Sequence, residues 1–249
     1  MRELLLVGVY ASAISAQEFR ATLSGRVTDP AGAAVPEVKI EARLVSTGAV
    51  STTNTVEDGS FRIPFLQPGE YTITAEKEGF QKAIRQGILL QVSERAALDI
   101  VLRLGEVTQS ITVQADTGMV ETETADRVLT IEHGRILNTP LQGRNIFANA
   151  WSTPGVTLTA AVQRPRPFDI AGSSAMAISG GQPSGNEVLI DGVSNLARAG
   201  QVAYVPQAEA TGEFKVQTTT YDAQYGWTTG GVVNIVTKGG TNQWHGAAF

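Results

Sequence analysis

Two histidines, His133 and His245, and no cysteine limit the chemistry open to this chain. Zinc peptidases gather their ligands at short spacings such as His-x-x-x-His. These two imidazoles lie far apart in the sequence with no further donor at ligand spacing, so they read as structural or exposed. Without a thiol there is no disulfide framework, no thiolate metal site and no Cys nucleophile. No Ser-His-Asp arrangement is suggested by spacing either. Asp191, in Val188-Leu189-Ile190-Asp191-Gly192-Val193, is the carboxylate with the most distinctive setting, yet no His lies nearby to work with it as acid and base. The segment reads instead as a buried strand entering a structural turn at Asp191 and Gly192. There Gly192 supplies positive φ and Asp191 can bond its own turn backbone.

The glycine pairs Gly230-Gly231 and Gly239-Gly240 do not make a phosphate cradle. Lys238 precedes its glycines, and no Ser or Thr follows a Gly-Lys pair. Close approach of backbone to backbone is the better account of them. Tyr204, Tyr221, Tyr225 and Trp227 are candidates for a ligand surface, with core packing an equal alternative. The net charge of −5 and the lack of any Lys/Arg cluster exclude a nucleic-acid partner, which needs clustered cations to neutralise phosphates. No metal and no cofactor is implied, and the inventory gives no reason to expect an enzyme.

The elements that position these residues change character along the chain. Arg2, an apolar run from Leu4 to Tyr10, and the small residues Ala11-Ser12-Ala13 and Ser15-Ala16 read as a secretory signal peptide over residues 1–16. Cleavage after Ala16 or Ala13 fits the small-residue rule. From residue 23 to 104 apolar and polar residues alternate in short runs, the period-2 pattern of half-buried antiparallel strands. Val38, Ile40, Ala42 and Leu44 share one face; Tyr71, Ile73 and Ala75 repeat the pattern, as do Leu98, Ile100, Leu102 and Leu104. Asp29-Pro30-Ala31-Gly32, Glu57-Asp58-Gly59 and Gln67-Pro68-Gly69 mark turns between them. Several strands at this spacing predict a small Ig-like β-sandwich ending near Leu104. Phe61, Phe65, Tyr71 and Phe80 are expected to fill its core rather than form a sugar-stacking stripe.

Beyond Gly105 one further alternating run, Ile111, Val113 and Ala115, precedes a mixed region. Asn138-Thr139-Pro140 breaks a short turn of helix, and Ile146, Phe147, Ala150 and Trp151 fall along one helical face. A Gly-, Ser- and Pro-rich loop follows, with a short strand near Ala177. Strands return at residues 187–190, 213–218 and 231–238. This half is therefore a mixed α+β, Gly-rich domain.

Ser24-Gly25-Arg26-Val27-Thr28-Asp29, Asp58-Gly59-Ser60-Phe61, Leu66-Gln67-Pro68-Gly69-Glu70-Tyr71 and Gly79-Phe80 together resemble a carboxypeptidase regulatory-like domain, an Ig-like or prealbumin-like β-sandwich. The second half is similar to the plug of TonB-dependent receptors, in particular the Oar-like group that carries such a sandwich in front. The resemblance rests on Leu141-Gln142-Gly143-Arg144-Asn145, Thr153-Pro154-Gly155-Val156, the Asp191-Gly192 segment, Tyr221-Asp222-Ala223-Gln224-Tyr225-Gly226 and the run from Gly230 through Gly240.

That resemblance implies a sandwich over residues 20–104, a linker over 105–115, a mixed α+β plug over 116–240, and the start of a first barrel strand at 241–249. A barrel of ~22 strands at ~10 residues each does not fit in the remaining chain. It further implies an outer-membrane location with plug and sandwich on the lumen and periplasmic side, and three partners: the TonB C-terminal domain, an outer-membrane β-barrel, and an extracellular substrate that the sequence does not identify. In the family the plug closes the barrel lumen until TonB pulls on a short extended segment, the TonB box, by β-strand addition. The candidate by position lies within residues 106–115, with Ser110, Ile111, Thr112 and Val113 as its core. The same residues also fit a last strand of the sandwich. An unpaired segment favours the box, and pairing into the sandwich counts against it in that conformation. Residues 164–168 are a candidate apical loop, and the family's plug glycines pack against a barrel wall. The alternative function is a soluble secreted binding module that uses a carbohydrate-binding-like sandwich.

Overall fold

The computed structural model describes residues 19–105, 110–114, 127–140, 142–159, 170–219, 225, 228–244 and 246. The signal-peptide residues 1–16, the loop candidate at 164–168, Tyr221, Trp227 and His245 lie outside the described residues. The chain divides into two compact units, one built on residues 20–124 and the other on 125–239, with residues from Gly240 onward grouped with the first.

The first unit is a β-sandwich. Its strands are β1 (Ala21–Thr28), β2 (Lys39–Leu44), β3 (Val50–Asn54), β4 (Ser60–Leu66), β5 (Gly69–Glu76), β6 (Lys82–Leu90), β7 (Arg95–Ala97), β8 (Ile100–Val101) and β9 (Ser110–Gln114). One sheet has the order β4-β1-β7, with β8 also pairing β1, and the other has the order β3-β2-β5-β6-β9. Alternation puts Leu23, Ile40, Ala42, Ile73, Ala75, Ile88 and Ile100 into one buried core, while the intervening polar residues face outward. The buried Thr55 hydroxyl ties the loops before β2 and after β3 together: its Oγ1 accepts from Val38 N–H (2.9 Å) and donates to Val35 O (2.9 Å).

Two expectations fail here. Phe65 does not join Phe61 and Tyr71 in the core; it is 56% exposed, with φ 63°. Ala21 pairs Leu66 and Leu23 pairs Ile63, so β4 carries one extra residue and Leu66 takes the inward position that strict alternation assigns to Phe65. Pro64, which has no N–H to give a ladder, sits in that bulge. The Arg20 guanidinium lies 4.6 Å from the centroid of the displaced ring. Leu104, expected on the inner face, is 74% exposed beyond the last inward residue, Leu102. The sheet also continues past Leu104, since β9 adds to its edge.

The second unit contains β10 (Arg127–Glu132), β11 (Val156–Leu158), β12 (Met176–Ile178), β13 (Glu187–Ile190), β14 (Val193–Ser194), β15 (Thr211–Thr219) and β16 (Val232–Thr237). Five of them form a mixed sheet in the order β10-β15-β16-β13-β14, and β11 pairs β12 separately. Short helices at His133–Asn138, Ala148–Trp151 and Ile170–Ser174 join them. The first ends at Thr139, before Pro140. One sheet face packs into a core where Phe147 and Phe214 meet edge-on, their centroids 5.9 Å apart at 88°. Leu189, Val232 and Tyr225 form a separate buried cluster. Glu213, Lys215 and Gln217, which alternate with Phe214 and Val216 along β15, are buried as well, Lys215 to 3% exposure.

Candidate functional site

The backbone of Ser110, Ile111, Thr112 and Val113 belongs to β9, which runs parallel to β6 in the register Lys82↔Ser110 through Gln86↔Gln114. β9 is the last strand of its sheet. On its other side β6 pairs antiparallel with β5, where the register shifts between Tyr71 and Ile73, next to Gly87 at φ 76°. The extra residue lies in β6 between Arg85 and Ile88. In this conformation the segment pairs into the sandwich, which counts against a free TonB box in this conformation, and among the described residues only one of its two edges is taken.

Asp191 and Gly192 are the two central residues of the hairpin between β13 and β14, closed by the pair Ile190↔Val193. Both have positive φ, 50° and 78°, which is the pattern of a two-residue type I′ turn. The Asp191 carboxylate bonds across to the neighbouring strand rather than to its own turn. Oδ1 accepts from Thr237 N–H (2.9 Å) and Oδ2 from Thr237 Oγ1 (2.7 Å). Asp191 N–H donates to Ile235 O (2.9 Å), so this turn is fastened to the end of β16.

Buried asparagines, which the sequence reading did not single out, hold the loops of this unit. Asn145 Nδ2 donates to Ser173 Oγ (2.9 Å), and its Oδ1 accepts from Phe147 N–H (3.0 Å). Asn186 Nδ2 donates to Met176 O (2.7 Å), and its Oδ1 accepts from Gly231 N–H (3.2 Å). Asn195 reproduces a strand pairing with one amide, donating to Tyr204 O (2.7 Å) and accepting from Tyr204 N–H (3.0 Å).

Gly230 and Gly231 are explained within the unit itself, with no barrel wall needed. A Cβ at Gly231 would lie 2.3 Å from Ile178 Cγ2 and 2.7 Å from Gln217 O, and one at Gly230 2.2 Å from Asn186 Oδ1. Gly239 and Gly240 have open space beside them. The aromatic candidates separate: Tyr225 is buried against Leu189 and Val232, whereas Tyr204 is exposed. His133 Nδ1 lies 2.6 Å from Thr211 O, so that nitrogen carries the proton, and Nε2 is 3.5 Å from Lys238 Nζ. Arg144 forms an ion pair with Glu209. Asn242 Nδ2 donates to Thr47 O (2.9 Å), and residues 241–244 form no strand.

Residues 22–103 match the family model described as carboxypeptidase regulatory-like domain, which assigns the sandwich to that class. The chain is 27% identical over 247 residues to the TonB-dependent transporter Oar of Myxococcus xanthus, an alignment that takes in 97% of this chain and 22% of that protein. The chain spans about a fifth of the length of the curated relative it matches. Among solved structures, a catechol 1,2-dioxygenase from Acinetobacter is similar with a TM-score of 0.30 and 11% identity, over 40% of this chain and 59% of that one. A putative carbohydrate binding protein from Bacteroides uniformis is similar with a TM-score of 0.29 and 17% identity, over 33% of this chain and 40% of that one. Likenesses this slight carry no argument about function.

Proposed function

We propose that the chain is the gating front part of a TonB-dependent outer-membrane transporter. The sandwich of residues 20–104 leads through a TonB-box linker at 105–115 into a plug at 116–240, which closes the barrel and is released when TonB pulls. The observation that carries this reading is the alignment with a TonB-dependent transporter across 97% of the chain, through both compact units rather than the sandwich alone. The Asp191 turn fastened to β16 and the asparagine-pinned loops suit a compact body that must stay folded while its N-terminal side is pulled. In this reading the protein is exported, resides at the outer membrane and performs no catalysis, and its ligand chemistry belongs to substrate and partner binding.

The test is to delete Ser110, Ile111, Thr112 and Val113 and measure binding of the TonB C-terminal domain to the purified chain. Loss of binding with unchanged folding is expected. Binding that survives the deletion would place the TonB contact elsewhere and remove these residues from the mechanism.

A further inference from the structure

β-Strand addition uses one edge of the added segment, so a strand paired on one side can still accept a partner on the other. β9 gives one edge to β6, and the register across that edge is continuous from Ser110 to Gln114. In a parallel ladder, alternate residues direct both N–H and C=O to the same neighbour. The intervening residues of β9 therefore direct theirs to the opposite edge, where no strand pairs among the described residues. Edge strands are ordinarily blunted by Lys, Pro or a bulge. The sequence of β9, Ser-Ile-Thr-Val-Gln, contains neither Lys nor Pro, and its pairing with β6 has no bulge.

Resting on the TonB-box reading above, we propose that the sandwich presents the segment rather than hiding it: an edge strand of the TonB C-terminal domain adds to the outer edge of β9 while β9 remains paired with β6. The five-stranded sheet then grows by one strand. A segment already held extended has lost most of its backbone freedom before the partner arrives, whereas a free peptide must be ordered during binding. The sandwich thus acts as a preorganising platform for the partner strand.

The experiment measures the affinity of the purified TonB C-terminal domain for three species. These are the whole chain, a synthetic peptide of residues 106–118, and the whole chain carrying Ile84→Cys and Thr112→Cys. Ile84 and Thr112 are register partners across β6 and β9, and the chain has no thiol of its own, so oxidation locks the two strands together. The whole chain is expected to bind at least about tenfold tighter than the peptide. The oxidised and reduced forms should agree within about twofold, because the lock leaves the outer edge free. Deleting Ser110, Ile111, Thr112 and Val113 should abolish binding. If the peptide binds as tightly as the chain or tighter, or the disulfide abolishes binding, presentation is overturned while the TonB-box assignment survives. If neither peptide nor chain binds, the TonB-box reading falls and this inference with it. Gln86→Cys with Gln114→Cys, at the other end of the same register, repeats the test if the first pair disturbs folding.

Discussion

Replacing Gly231 by Ala isolates a demand made inside the second unit. The new methyl would stand 2.3 Å from Ile178 Cγ2 and 2.7 Å from Gln217 O. Ile178 is fully buried, so its side chain has no open space to retreat into, and the carbonyl belongs to β15 and moves only with its strand. Gly231 is also held on both sides: its N–H donates to Asn186 Oδ1 (3.2 Å), and its carbonyl accepts from Glu187 N–H (3.0 Å). Overpacking costs about 1–3 kcal/mol, and loosening one of these hydrogen bonds adds about 1 kcal/mol. Against a domain stability of about 5–15 kcal/mol, a loss of about 2–4 kcal/mol should lower the midpoint of this unit by roughly 10 °C. Trp151 and Trp227 fall within residues 125–239, so thermal melts followed by intrinsic fluorescence weight the second unit, and calorimetry of the whole chain separates its transition from that of the sandwich. Combining the change with Ile178→Ala removes the side-chain half of the collision, so the double variant should be more stable than the sum of the two single effects predicts, by about 0.5–3 kcal/mol. A Gly231→Ala protein whose second transition moves by less than about 2 °C would refute the argument that close packing within the unit requires this glycine.

Three further outcomes follow from the same geometry. Asp191→Ala removes both acceptors from Thr237 and places a residue poorly suited to positive φ in the turn, so about 2 kcal/mol should be lost in urea unfolding, while Asp191→Asn, which tolerates the turn, should lose about half as much. Equal losses would show that the hydrogen bonds and not the backbone conformation set the cost. Thr55→Val leaves Val38 N–H and Val35 O without the hydroxyl that joins them in a buried site, and should destabilise the sandwich by about 2–3 kcal/mol, leaving the second transition in place. Burial raises the Tyr71 phenol from 10.0 to about 12, and its hydroxyl donates to Gln67 O (2.8 Å). Its folded pKa lies above its unfolded one, so the folded chain binds the proton more tightly. The stabilisation is complete below pH 10 and is lost as pH rises towards 12. Tyr71→Phe should flatten that alkaline decline in a pH series of melting temperatures, and an unchanged slope would assign the decline to other groups.

Much of this architecture is written in local pattern. Alternation is a property of neighbouring residues, so Ile40, Ala42, Ile73 and Ala75 could be assigned to one inner face before any partner strand was known. Asp-Gly between two apolar runs specifies a turn, because the backbone there needs positive φ, and the strand at Glu187–Ile190 follows from the same local logic. Period alone could not anticipate the fate of Phe65, since the extra residue in β4 becomes visible only against the register of β1. Nor could it anticipate the burial of Lys215 and Gln217, whose alternation with Phe214 and Val216 reads like a strand with one wet face. Whether Ser110, Ile111, Thr112 and Val113 form a free segment or an edge strand was likewise undecided by their alternation. The pairing partner, β6, lies well upstream in the chain, and only the folded sandwich brings its open edge beside them. The sequence by itself determined which residues turn inward along each strand and where the chain can turn, because those depend on side-chain polarity and backbone freedom at single positions. The tertiary structure decided register, edge and close approach: which strand lies beside β9, which carbonyl faces Gly231 and which carboxylate reaches Thr237. Those depend on distances between residues remote in sequence.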